Sequence, residues 1–257
     1  MGRVIAYYQS FEPTLDFTQL VQAGLTHIHL SSVHFGLEND YQPYIHLNDN
    51  NPSHPKFKFV WEQMQDARRA GAQVRLMIGG AGGGYQTLFD PRYRSACTAL
   101  LLELLQQHAI DGVDFDIEEP VDLSDVYELW SVLAYECPRL HFSFAPVSSS
   151  LVSDSPGMGG FVYKTLYTAR HDQIDYLNGQ FYGAWGPDAY TDVVKNGYPS
   201  EKVVMGAMAG QAGVTAKGIK DTKTKFPNMA GVFIWELIHA QPSPLEWVQD
   251  TTRALLA

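Results

Sequence analysis

The chain has 257 residues, 45% of them hydrophobic and 18% charged, with a formal net charge of −10. That balance speaks against nucleic acid as a partner, because a phosphate backbone is neutralised by clustered Lys and Arg. The length suits one large domain with a full core, as α/β barrels have. Two cysteines, Cys97 and Cys137, make no disulfide framework. Each falls in a helical pattern, where a cysteine serves as a small buried hydrophobe. No run reaches the ~18 apolar residues of a membrane helix, so no membrane partner is expected. Met1-Gly2-Arg3 leads directly into a strand-like Val4-Ile5-Ala6-Tyr7-Tyr8, without the pattern of a signal peptide. The expected location is the cytoplasm, or outside the cell if a leader has been removed.

Short apolar, β-branched or aromatic runs alternate with longer helical patterns. Strands are predicted at Val4–Gln9 and His27–Val33, followed by an irregular stretch, Gly36–Phe57, with three prolines. It reads as a long loop forming one wall of a cleft. A helix is predicted over Lys58–Ala70 and a strand over Val74–Gly79. The glycines of Gly79-Gly80-Ala81-Gly82-Gly83-Gly84 lack a P-loop lysine and read as a tight, open turn. A second helix begins at Asp90-Pro91, where Asp can cap and Pro suits the first turn. Then come a strand at Gly112–Glu118 and a helix at Ser124–Glu136, capped by Ser124. The last strands are His141–Val147, Tyr176–Tyr182, Val203–Ala209 and Val232–Glu236. Eight strands alternating with helices point to an α/β fold, a single-domain (β/α)8 TIM barrel over residues 1–257. A doubly wound open sheet is the alternative, but no G-x-G-x-x-G turn follows the first strand.

The fourth strand carries the chemistry. Asp114, Asp116 and Glu118 alternate with Val113, Phe115 and Ile117. Alternate residues of a strand share a face at about 6.5–7 Å spacing, so the carboxylates form one file. Burying such a file is costly unless each acid is paired, hydrogen-bonded or protonated. Active sites of these barrels lie at the C-terminal strand ends, where Glu118, Tyr182 and Trp235 would meet. His27, His29 and His34 lack carboxylate or cysteine companions at a ligand spacing, so neither a metal nor another cofactor is expected.

With these positions assembled, the chain resembles glycoside hydrolase family 18, the family of chitinases and certain endo-β-N-acetylglucosaminidases. Asp111, Gly112, Asp114, Asp116 and Glu118 complete its D-G-x-D-x-D-x-E signature. Gln180-Phe181-Tyr182 looks like its sixth-strand motif, and Gly231-Val232-Phe233-Ile234-Trp235 like its eighth. Phe144-Ala145-Pro146 resembles the fifth strand of the plant-type branch. Glu118-Glu119-Pro120 and Trp185-Gly186 look most like small intracellular fungal and bacterial members. The third strand departs from the pattern: Met77 stands where the family has a serine that helps hold the innermost aspartate. Another hydroxyl, Tyr7 or Ser143, is then the expected partner of Asp114. The connection between the last two strands, about 22 residues, is too short for the family's α+β insertion, which implies an open groove.

The resemblance implies a substrate-assisted glycosidase, in which the sugar's 2-acetamido carbonyl is the nucleophile. It makes Glu118 the acid and base, Asp116 the group that orients the acetamide, Asp114 its buried proton partner and Tyr182 a donor to the attacking carbonyl. Trp235 becomes the floor of the sugar subsite, with Gln180 and Tyr7 as further substrate contacts. Tyr85, Trp185 and Tyr190 are candidate outer stacking platforms, Asp111 a fixture of the strand entry and Glu119 a loop residue. The implied partner is an N-acetylglucosamine-containing oligo- or polysaccharide, bound by a monomer. Chitin and the N-glycan chitobiose core both stay open as substrates, as does a catalytically silent chitin-binding lectin.

Overall fold

Strands and helices alternate along the computed structural model, which describes residues 2–257. The strands are β1 (Arg3–Tyr8), β2 (His27–Leu37), β3 (Pro43–Leu47), β4 (Gln73–Gly79) and β5 (Gly112–Asp116), then β6 (His141–Phe144), β7 (Tyr176–Gln180), β8 (Val203–Met208) and β9 (Gly231–Trp235). Their order is β1-β9-β8-β7-β6-β5-β4-β2-β3, and a β1–β2 pairing closes the ring. Every pairing inside the ring is parallel; only β2 with β3 is antiparallel. The result is a closed parallel barrel of eight strands with helices between them, a (β/α)8 TIM barrel in a single domain.

Alternation along the strands divides the core in two. Outward residues such as Val4, Ile28, Val74, Val113 and Phe144 join one large apolar cluster with the helices. The helix Lys58–Ala70 shows the logic, burying Val60, Trp61, Met64 and Ala67 on one face. Gly71, in the left-handed region at φ 108°, ends it. Inward residues Ile5, Tyr7, Met77, Tyr176, Val204, Ala230 and Phe233 form a smaller cluster inside the barrel.

The Gly36–Phe57 stretch is not an irregular loop. Strand β2 runs on to Leu37 and turns back as β3, because Val33, Phe35, Ile45 and Leu47 alternate with polar residues and give the hairpin a buried side. Strands β5 and β7 stop at Asp116 and Gln180. Glu118 and Tyr182 therefore sit just beyond the ladders, on the rim. The helix expected from Asp90 begins at Arg94, since Asp90 holds a turn by accepting from the Arg92 N–H at 2.9 Å. Asp122, not Ser124, takes the N-cap position of the following helix.

Candidate active site

The inward residues of β5 lie at the centre of the site, in a strand buried along its whole length. Asp114 accepts from Tyr7 Oη at 2.7 Å, Ser143 Oγ at 2.6 Å, Asn178 Nδ2 at 3.0 Å and His29 Nδ1 at 3.1 Å. Both hydroxyls considered as substitutes for the missing serine are thus used. Met77 does not compete, because its Sδ accepts from Ser31 Oγ at 3.2 Å. Burial would raise the Asp114 pKa, but His29 and the hydroxyls of Ser143 and Tyr7 outweigh it and hold the carboxyl below its ordinary value. Burial keeps His29 below its own ordinary value despite the pull of Asp114. With hydrogen on Nδ1 it serves Asp114, while Nε2 accepts from Tyr176 Oη at 3.1 Å.

Asp116, one inward position nearer the mouth, meets the opposite surroundings. It is buried and accepts from Gln180 Nε2 at 3.1 Å. Burial, then the charges of Glu118 and Asp114, push its pKa well above the ordinary value, against the pull of Gln180. The surroundings thus shift the two carboxyls in opposite directions, Asp114 toward its ionised form and Asp116 toward its protonated form. Glu118 stands half-buried on the rim. Burial raises its pKa as well, with Gln180 opposing. A second bond from Gln180 Nε2 to the Ala145 carbonyl at 2.8 Å aims its amide at Asp116.

Two aromatic residues complete the mouth. Burial and the nearby acids hold the Tyr182 phenol well above its ordinary pKa, so it keeps its proton. Its ring stands edge-on to Phe233 at 6.3 Å. The Trp235 ring lies 5.4 Å from that of Tyr7, tilted by 58°. Asp116, Glu118, Gln180, Tyr182, Trp235 and Tyr7 line one cavity of about 400 Å³.

Three aromatic residues expected at this mouth lie elsewhere. Tyr85 is 1% exposed and donates its hydroxyl to the Ile78 carbonyl at 2.8 Å. Gly84, at φ 113°, turns the chain so that this first helical residue points into the core. Trp185 is half-buried over Gly218, where a Cβ would come within 2.5 Å of its Nε1. Tyr190 is buried, its hydroxyl bonded to the Ser200 and Val203 carbonyls at 2.9 and 2.8 Å.

The two outer acids of the motif serve structure. Asp111 receives a two-pronged bond from Arg68 at 2.9 and 3.0 Å and the Val74 N–H at 2.8 Å, tying a helix to the entry of β5. Glu119 accepts the Tyr85 N–H and pins the glycine turn. Several site residues escape sequence reasoning. Asn178 shares the inward face of β7 with Tyr176 and Gln180, so simple alternation is enough to find it. Glu236 has no such signal; its carboxylate accepts the Gln9 and Ser10 N–H groups at 2.8 Å each and fixes the loop after β1 beside Trp235. Among the described residues, no group of three or more His, Cys, Asp and Glu side chains is placed to hold a metal ion.

A family model described as Glycosyl hydrolases family 18 matches residues 3–252. No curated protein matches the chain. Among solved structures, a fungal endo-beta-N-acetylglucosaminidase from glycosyl hydrolase family 18 is similar at a TM-score of 0.89 and 27% identity, over 99% of this chain and 98% of that one. The chitinase ChiC from Aspergillus fumigatus is similar at 0.83 and 28%, over 99% and 100%. A chitinase-like agglutinin from Robinia pseudoacacia shares the fold at 0.68 and 14%, over 98% and 99%.

Proposed function

The chain belongs to glycoside hydrolase family 18 and is a glycosidase, and from that premise we propose that it is a retaining endo-hydrolase of the β-1,4 bond between N-acetylglucosamine residues. Chitin oligomers are its simplest substrate. The observation that carries this reading is the file of acids on one face: Asp114 enclosed by Tyr7, Ser143, Asn178 and His29, Asp116 above it on Gln180, and Glu118 at the rim of the same cavity as Asp116, Tyr182 and Trp235. Such a file suits a reaction in which the substrate's own acetamide is the nucleophile.

In this reading the Tyr182 hydroxyl donates to the acetamide carbonyl and aims it at the anomeric carbon. As the carbonyl oxygen bonds to that carbon, the glycosidic C–O bond breaks and Glu118 gives its proton to the leaving oxygen. The proton on Asp116 shifts toward Glu118, and the resulting Asp116 carboxylate accepts the acetamide N–H and balances the charge of the oxazolinium ring. Water then attacks the anomeric carbon, the proton that Glu118 drew from Asp116 returns to Asp116 as Glu118 takes the proton of the water, and the acetamide is released with configuration retained. Trp235 floors the sugar through its C–H face.

A second reading, cleavage of the N-glycan chitobiose core, is favoured by the TM-score of 0.89 to the fungal endo-β-N-acetylglucosaminidase. It uses the same residues on the same bond. Incubating the protein with chito-oligosaccharides beside a high-mannose glycopeptide separates the two, and cleavage of the glycopeptide alone rejects chitin. Glu118→Gln should lower kcat by roughly 10²–10⁴-fold, the usual contribution of a general acid, while oligosaccharide binding persists. Near-normal turnover would remove Glu118 from its role.

A further inference from the structure

Strand β2 does not stop at the barrel rim. Its register with β4 ends at Val33↔Ile78, and from Val33 to Leu37 it pairs with β3. The hairpin stands above the mouth with two faces. Val33, Phe35, Ile45 and Leu47 are buried on one. The other carries His34, Gly36, Tyr44 and His46, paired across the strands as His34↔His46 and Gly36↔Tyr44.

His34 joins this face to the catalytic site. It lines the same cavity as Asp116 and Glu118, and its Nδ1 lies 3.1 Å from the Gly83 carbonyl oxygen. Outward from it, the Tyr44 and His46 rings stack with centroids 4.0 Å apart and planes 23° from parallel. A Cβ at Gly36 would lie 2.3 Å from Tyr44 Oη, so the bare glycine lets the phenol lie across β2. At the hairpin tip Tyr41 is 69% exposed with φ 63°, in the left-handed region that bulky residues enter only at a cost.

We propose that this face is an outer saccharide subsite, where the Tyr44–His46 pair stacks on a pyranose ring of the N-acetylglucosamine chain that leaves the catalytic cavity past His34. The proposal rests on the reading of the cavity as an N-acetylglucosaminide hydrolase site. A pyranose needs an aromatic plane against its C–H face and polar groups at the edge for its hydroxyls. Stacking uses one face of each ring, so the plane is the face of Tyr44 turned away from His46, and the phenol and imidazole nitrogens supply the edge. Tyr44 pairs two residues outward from His34, about 7 Å along the strand, a displacement on the order of one sugar ring. The connection between β8 and β9 adds no insertion domain to wall the groove, which leaves the hairpin open to an emerging chain.

The test compares ligand lengths. Glu118→Gln protein, with and without Tyr44→Ala, is titrated calorimetrically with chitobiose, chitohexaose and a high-mannose glycopeptide. Tyr44→Ala should weaken chitohexaose binding ~3- to 10-fold, the size of an aromatic stacking contribution, and leave chitobiose unchanged within about twofold. Tyr44→Phe, which keeps the plane and loses one edge hydroxyl, should weaken chitohexaose binding less than Tyr44→Ala does. Equal losses for both oligosaccharides, no loss for either, or a loss confined to the glycopeptide would overturn the subsite. Failure of the parent to bind chitobiose at all would instead sink the reading of the cavity, and this proposal with it.

Discussion

Asp114 and Asp116 are the same side chain two residues apart, and their neighbours push their pKa values in opposite directions. Tyr7, Ser143, Asn178 and His29 surround Asp114, whereas Asp116 faces Gln180 and two other acids. The consequences for stability have opposite signs. The depressed Asp114 contributes stability that is present above the ordinary carboxylate pKa of about 4 and lost as pH falls through its folded value. The raised Asp116 contributes stability that is present below that ordinary value and lost as pH rises toward its folded one. Asparagine does not titrate and mimics the protonated acid. Asp116→Asn should therefore melt higher than the parent at about pH 7–8, with the gap closing near pH 4. Its kcat should fall roughly 10²–10³-fold for loss of transition-state stabilisation. A melting gap independent of pH, or near-normal rates, would contradict this assignment. The alternation of acids in the motif reveals the file itself. Which acid keeps the proton does not follow from it, because that depends on donors from four other strands.

At the scale of elements, β5 works because its entry is tied and its flank is bare. Asp111 is locked to Arg68 and the β4 backbone. A Cβ at Gly112 would stand 2.7 Å from the His141 carbonyl oxygen and 3.0 Å from Arg75 Cγ, which explains the glycine beside Asp111 in packing terms. Gly112→Ala should destabilise the protein by about 1–3 kcal/mol, the usual cost of overpacking. An unchanged denaturation midpoint would show that the strands yield. Elements with strong periodicity are legible in the chain, and the eight barrel strands all form near their predicted places. The hairpin is less so, because the Asn and Asp residues between Leu37 and Pro43 look alike in a turn and in a loop. Tyr85 misleads for a related reason: Gly84's backbone angle, not residue type, decides where that ring points.

Across the whole molecule, the barrel supplies a rigid ring of strand ends, and the site is what those ends carry. Architecture alone does not make a hydrolase. In this chain Glu118, Asp116, Tyr182 and Trp235 line one cavity of about 400 Å³. The claim that matters most is that the substrate's acetamide performs the displacement. Inhibition by a thiazoline analogue of chitobiose, measured against cleavage of a chito-oligosaccharide, tests it most directly. Competitive inhibition tighter than product binding is the predicted result. Normal cleavage unaffected by the thiazoline would contradict substrate assistance and require a nucleophile from the protein.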